Sequence, residues 1–92
     1  MNRDPRYKSI RSMVNDGAIR SLNEIFNHIP KSIVAADCGK KVTRFTYLME
    51  HVGEFKMREL FKIGALCDLT ASQTLDLVRE QYLKNNSDKL KM

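Results

Sequence analysis

Hydrophobic residues recur at three- and four-residue steps along most of this chain, and no segment shows the strict alternation that a β-strand requires. The pattern predicts an all-α protein, a compact bundle of about five helices preceded by a short N-terminal helix. The apolar positions that define these helices are Tyr7, Ile10, Met13 and Val14; Ile19, Leu22, Ile25, Phe26 and Ile29; Val34, Ala35 and Cys38; Val42, Phe45, Leu48, Met49 and Val52; Met57, Leu60, Phe61, Gly64 and Cys67; and Leu75, Val78 and Tyr82.

Residues that favour helix ends separate these segments. Asp16 is expected to cap a helix covering about residues 19–29 through its carboxylate. Pro30 disfavours helical backbone in the residue before it and suits the first turn of the next helix. Gly53 is expected to stop a helix that covers about residues 42–52. The chain is thus divided into short helices with tight connections.

The last helix has the clearest start. Residues 70–73 form the sequence of a capping box, in which Thr70 and Gln73 satisfy backbone amides at a helix start. Its buried side is predicted to carry Leu75, Val78 and Tyr82, while Leu77 lies well off that stripe.

Residues 31–50 have the pattern of two short helices that meet at a tight turn. Two helices that cross closely need a small residue at the crossing, and Ala35 supplies it. Gly39 can adopt the left-handed backbone that ends the first helix. The outward face of this segment is polar and basic, with no acidic residue between Asp37 and Glu50. Such a surface suits DNA.

This stretch resembles a known motif. The run Val-Ala-Ala-Asp-Cys-Gly at residues 34–39, followed by Tyr47 five residues after Val42 and then by Leu48, is similar to the helix-turn-helix of the lambda-repressor-like family, also called the Cro/repressor or XRE type. The resemblance extends from about residue 19 to residue 78. It implies a sequence-specific double-stranded DNA-binding transcriptional regulator, repressor-like, whose recognition helix at about residues 42–52 lies in the major groove.

The resemblance also assigns roles to individual side chains. Residues of the recognition helix and its start would meet the bases: Lys41, Val42, Thr43, Thr46 and Tyr47. Residues around it would meet phosphates: Lys31, Ser32, Lys40 and Arg44. These side chains offer the donors, hydroxyls and methyl groups that base edges and phosphates accept.

Two positions depart from the family pattern. Lys40 stands where an apolar residue commonly follows the glycine, so Val42 is expected to take over the core contact. Lys56 stands where a serine, threonine or aspartate would cap the fourth helix.

Length and charge are consistent with this assignment. The 92 residues, with a formal net charge of +5 and a pI near 9.4, suffice for one small domain and are compatible with a polyanionic partner. We divide the chain into an N-terminal arm or helix (1–16), the helix-turn-helix domain (17–84) and a flexible tail (85–92). The arm either packs on the domain or contacts phosphates or a second subunit, and the sequence leaves these alternatives open.

Other function classes find little support. No apolar run approaches the roughly 20 residues that span a bilayer, and no signal peptide is evident, so a cytoplasmic location without membrane contact is expected. No catalytic motif is present, and no cofactor or metal is expected, since Cys38 and Cys67 are interpreted as buried free thiols. The expected partners are double-stranded DNA and a second copy of the chain in a homodimer. The alternative function is a protein-interaction module, such as an antitoxin-like partner.

Overall fold

A computed structural model describes residues 4–86 of the chain. Within this range the protein is entirely helical and compact, which confirms the predicted all-α fold class. The α-helices are α1 (Tyr7–Asn15), α2 (Lys31–Asp37), α3 (Val42–Glu50), α4 (Met57–Leu66) and α5 (Ala71–Asn85), and two short 3₁₀ helices cover Leu22–Asn27 and Val52–Glu54. No helix in the described range is long and apolar enough to cross a membrane.

Helix α1 is part of the core. Tyr7 and Ile10 are completely buried, and the Tyr7 hydroxyl donates a hydrogen bond of 2.7 Å to Oδ2 of Asp37 at the end of α2. Burial, together with this hydrogen bond, raises the pKa of Tyr7 well above its usual value. These contacts agree with the packing interpretation of the arm, whose residues 1–3 lie outside the described range.

The helix predicted for residues 19–29 is wrong in length and type. Only Leu22–Asn27 is helical, and it is a 3₁₀ helix that starts after extended backbone at Ser21. Within it Leu22 and Ile25, at most 1% exposed, are three residues apart, which is the period of a 3₁₀ helix, while Ile19 is buried from the extended segment before it. Asp16 does not cap this segment, because it forms the C-terminal cap of α1 instead.

Helix α5 buries a different face from the one predicted. Leu77 is only 3% exposed, whereas Leu75 and Tyr82 are 40% and 45% exposed, so of the predicted stripe only Val78 packs against the core. The inward face carries two buried polar residues that apolar periodicity cannot detect. Thr74 donates to the Thr70 carbonyl at 2.9 Å, and Gln81 accepts the Asn23 backbone N–H at 2.8 Å.

The core fixes the position of α2 and α3. The rings of Phe26 and Phe55 both meet Phe45 of α3 edge to face, with centroids 5.7 Å and 5.9 Å apart. Phe55, 7% exposed, thus packs against α3 from the segment that leads to α4. Helix α3 ends at Glu50, so Gly53 lies within the second 3₁₀ helix and is not the residue that stops α3.

Helices α4 and α5 pack closely at Gly64. A β-carbon built on Gly64 would overlap Oγ1 of Thr74 and lie 3.1 Å from both Cβ and Cγ2 of that residue. The absence of a side chain at Gly64 thus allows the two helices to approach, and Leu60, Ile63 and Leu77 of these helices are buried in the core.

Candidate nucleic-acid interface

The turn between α2 and α3 has the geometry that the sequence predicts. Gly39 has a φ of +71°, the left-handed region that glycine adopts without a steric penalty. Its N–H donates to the Ala36 carbonyl at 3.0 Å, and the Lys40 N–H donates to the Ala35 carbonyl at 2.9 Å. These bonds satisfy carbonyls at the end of α2, while Ala35, 1% exposed, lets α2 pack against α3.

The first turn of α3 presents its side chains to solvent. Lys41, Val42, Thr43 and Arg44 are all exposed, and Thr46 is half-buried. The opposite face of α3 is buried in the core through Phe45, Leu48 and Met49.

Val42 does not take over the core contact expected of it. Its side chain is 43% exposed, because Phe45 and not Val42 faces the core at this end of α3. This leaves an apolar side chain within the polar, basic surface that begins at Lys41.

A stacked group of side chains covers the C-terminal half of α3. The rings of Tyr47 and His51 stack with centroids 4.3 Å apart, and the Arg44 guanidinium lies 5.2 Å from the Tyr47 ring centroid. The Tyr47 hydroxyl donates to Oε2 of Glu54 at 2.7 Å, and this hydrogen bond raises the pKa of Tyr47. Tyr47 would have to leave Glu54 before its hydroxyl could donate to DNA.

The two predicted phosphate contacts on α2 lie at its first residues. The Lys31 ammonium lies 5.8 Å from the ring centroid of Phe26, close enough for a cation–π interaction, and the residue is half-buried. Ser32 is exposed and next to it. Both side chains thus lie at the protein surface in the first turn of α2.

Lys40 has a partner within the protein. Its ammonium forms an ion pair with Glu59 of α4, and both side chains are about one-fifth exposed. Oε1 of Glu59 also accepts the Lys56 backbone N–H at 2.8 Å, so Glu59 supplies the cap that Lys56 itself cannot. The Lys40 ammonium, and then the Lys56 N–H, lowers the pKa of Glu59. A phosphate contact by Lys40 would require this ion pair to open.

Sequence reasoning missed two cations on α4. Arg58 and Lys62 are exposed and line a surface depression of about 310 Å³ together with Cys38 and Glu59. Their four-residue spacing on a predicted helix was the available signal, since it places both on one face. Only the fold shows that this face lies beside the turn.

The two cysteines are free thiols, but they differ in burial. Cys67 is completely buried, whereas Cys38 is only half-buried, so the prediction of two buried thiols is correct for Cys67 alone. Burial raises the pKa of Cys38 to about 11, which keeps it a thiol at neutral pH. Among residues 4–86 no group of three or more His, Cys, Asp and Glu side chains is arranged to hold a metal ion.

Comparison of the chain with protein-family models, with curated proteins and with solved structures found no significant match.

Proposed function

We propose that this protein is a sequence-specific double-stranded DNA-binding regulator, repressor-like in action, that inserts α3 into the major groove. The observation that carries this proposal is the surface at the start of α3. Four consecutive exposed residues, from Lys41 to Arg44, follow directly on a glycine turn and include two cations and no acid. The second helix of a helix-turn-helix meets base edges with its N-terminal residues.

Each side chain of this surface matches a chemical group of the groove. Lys41 can donate to O6 or N7 of guanine, and the Thr43 hydroxyl can donate or accept at a base edge. The exposed methyl groups of Val42 suit the methyl group of thymine. Arg44 and Lys31, at the margins, suit phosphate oxygens.

A homodimer would place two α3 helices about one DNA turn apart, roughly 34 Å, and so read a two-fold symmetric site. Exposed apolar side chains of α4 and α5 are available to join the subunits. Phe61 and Leu75, close in sequence to the Gly64–Thr74 contact, are 37% and 40% exposed, and Met57 is 55% exposed.

The test is selection from a random pool of short duplexes at two salt concentrations. We expect a motif to be enriched, palindromic if the protein is dimeric, and binding to weaken steeply with salt because phosphate contacts release counterions. Lys41→Ala should change the preferred sequence, whereas Lys31→Ala should weaken binding to all sequences similarly. Arg79→Ala is the control, since Arg79 is an exposed cation on α5 that pairs with its neighbour Glu80.

A second candidate function is binding to a partner protein, in the manner of an antitoxin. The same exposed apolar residues of α4 and α5 favour it. Duplex selection without enrichment, with only weak binding that is lost at moderate salt, would contradict the DNA proposal and favour this second function. Phe61→Glu should then abolish partner binding and leave the fold intact.

A further inference from the structure

The depression lined by Arg58 and Lys62 adjoins the helix-turn-helix. Cys38, which borders it, is the residue that ends α2 and lies directly before the glycine of the turn. Helix α4 is held at this place by the ion pair between Lys40 and Glu59. Cys38, at the border of the depression, therefore lies only three residues before Lys41, where the exposed surface of α3 begins.

The charges around the depression leave a local excess of positive charge. Of the nearby carboxylates, Glu59 is neutralised by its ion pair with Lys40, whereas Asp37 keeps its charge while it accepts the Tyr7 hydrogen bond, so Arg58 and Lys62 exceed the unpaired carboxylates by one charge. Arg58 and Lys62 form no ion pair or hydrogen bond with any other side chain in residues 4–86.

The spacing of the two cations suits one anion. Side chains four residues apart on a helix have β-carbons about 6 Å apart, so both long side chains can reach a single phosphate from opposite sides. An arginine and a lysine beside an open depression are also the usual donors to phosphate oxygens. The half-buried Cys38 forms part of the lining of the same depression.

We infer that Arg58 and Lys62 bind a backbone phosphate of the same duplex that α3 contacts, so that the DNA interface extends from the helix-turn-helix onto α4. This inference rests on the proposed function. It adds Arg58 and Lys62 as residues that increase affinity and orient the protein on the DNA without contacting bases. It also gives Lys40 a structural role, because the Lys40–Glu59 ion pair holds α4 beside the turn and neutralises the carboxylate nearest to the phosphate.

The first test is the salt dependence of duplex binding. Each phosphate contact contributes about 0.9 to the slope of log affinity against log salt. Because the two side chains share one phosphate, the Arg58→Ala/Lys62→Ala protein should lose about 0.9 from that slope, which means that its affinity falls about 3.5-fold less than that of the wild type between 50 and 200 mM salt. Sequence preference should not change. Arg79→Ala removes a charge of the same sign on α5 and should keep the wild-type slope.

The second test uses Cys38 as a reporter. Cys67 is completely buried, so iodoacetamide should modify Cys38 alone in the folded protein, and an alkaline buffer is used because the raised pKa of Cys38 leaves little thiolate at neutral pH. A saturating 20-base-pair duplex of the enriched sequence should slow this modification several-fold in the wild type and much less in Arg58→Ala/Lys62→Ala. Circular dichroism of each variant checks that it is folded.

The outcomes separate the two proposals. If the wild type binds duplex and Lys41→Ala changes its preference, but the double variant matches Arg79→Ala in slope and Cys38 is not protected, the inference on α4 is overturned and the proposed function stands. If the wild type binds no duplex at all, both are overturned.

Discussion

From the close contact of α4 and α5 at Gly64 we predict a change in stability opposite to the one expected from helix propensity. Replacing glycine by alanine inside a helix ordinarily stabilises it by about 0.8–1 kcal/mol. At Gly64 the new β-carbon would overlap Oγ1 of Thr74 and lie 3.1 Å from its Cβ and Cγ2. We therefore expect Gly64→Ala to destabilise the protein.

The magnitude follows from the two ways in which the overlap can be relieved. Rotation of Thr74 would break its 2.9 Å hydrogen bond to the Thr70 carbonyl and leave a hydroxyl without a partner in a site that is 1% exposed, at a cost of about 1–3 kcal/mol. Separation of the helices would loosen the core at a similar cost, about 1–3 kcal/mol. After subtraction of the propensity gain of about 0.8–1 kcal/mol, the net loss should be about 0–2 kcal/mol.

Urea unfolding followed by circular dichroism at 222 nm measures this loss. Gly53→Ala is a suitable control, because a β-carbon there would meet only the Tyr82 ring at 3.8 Å, and the free energy of unfolding should change by less than about 0.5 kcal/mol. Thr74→Ala removes two of the three atoms in conflict, so the double variant with Gly64→Ala should be more stable than the sum of the single changes predicts. A Gly64→Ala protein more stable than the wild type by the full propensity gain of about 0.8–1 kcal/mol would refute the packing argument.

Three further predictions concern the fold. Leu77→Ala should lower the free energy of unfolding by about 2–5 kcal/mol and Leu75→Ala by less than about 0.5 kcal/mol, in the same urea assay; the reverse order would mean that α5 is turned as the sequence alone suggested. Gly39→Ala should cost about 1 kcal/mol through backbone strain alone, since its φ is +71° and the space around its β-carbon position is open, whereas Ala36→Gly serves as a propensity control on α2. The pKa of Glu59 is lower in the folded protein than its usual 4.5, so its contribution to stability is present above pH 4.5 and is lost as the pH falls below that value. Glu59→Gln should therefore make the free energy of unfolding in urea less dependent on pH in this acidic range. An unchanged pH dependence would contradict the role of the Lys40 ion pair.

The sequence by itself determined the helical class and most helix starts. Apolar steps of three and four residues can be satisfied only by helices, and local chemistry decides where a helix begins or ends. Thr70 and Gln73 form the capping box as predicted, with the Gln73 N–H donating to Thr70 Oγ1 at 3.1 Å, and Gly39 ends α2 with left-handed backbone. These features depend on neighbours within a few residues, so the sequence contains all the information that they need.

The candidate site was predictable only in part, because some of its contacts join residues that are not neighbours in the sequence. The exposure of Lys41, Thr43 and Arg44 follows from the period of α3, which the sequence displays. The engagement of Tyr47 by Glu54 and of Lys40 by Glu59 depends on the path of the chain after α3, which no local pattern records.

The tertiary structure alone decided which face of α5 is buried and which cations lie beside the turn. Buried polar residues such as Thr74 and Gln81 are tolerated because partners elsewhere in the fold satisfy their hydrogen bonds, and periodicity in hydrophobicity cannot reveal those partners. Arg58 and Lys62 line the same depression as Cys38 because the fold brings α4 beside the C-terminal end of α2, although more than 15 residues separate them in sequence. Local sequence determines the helices, and long-range packing determines which of their side chains share a surface.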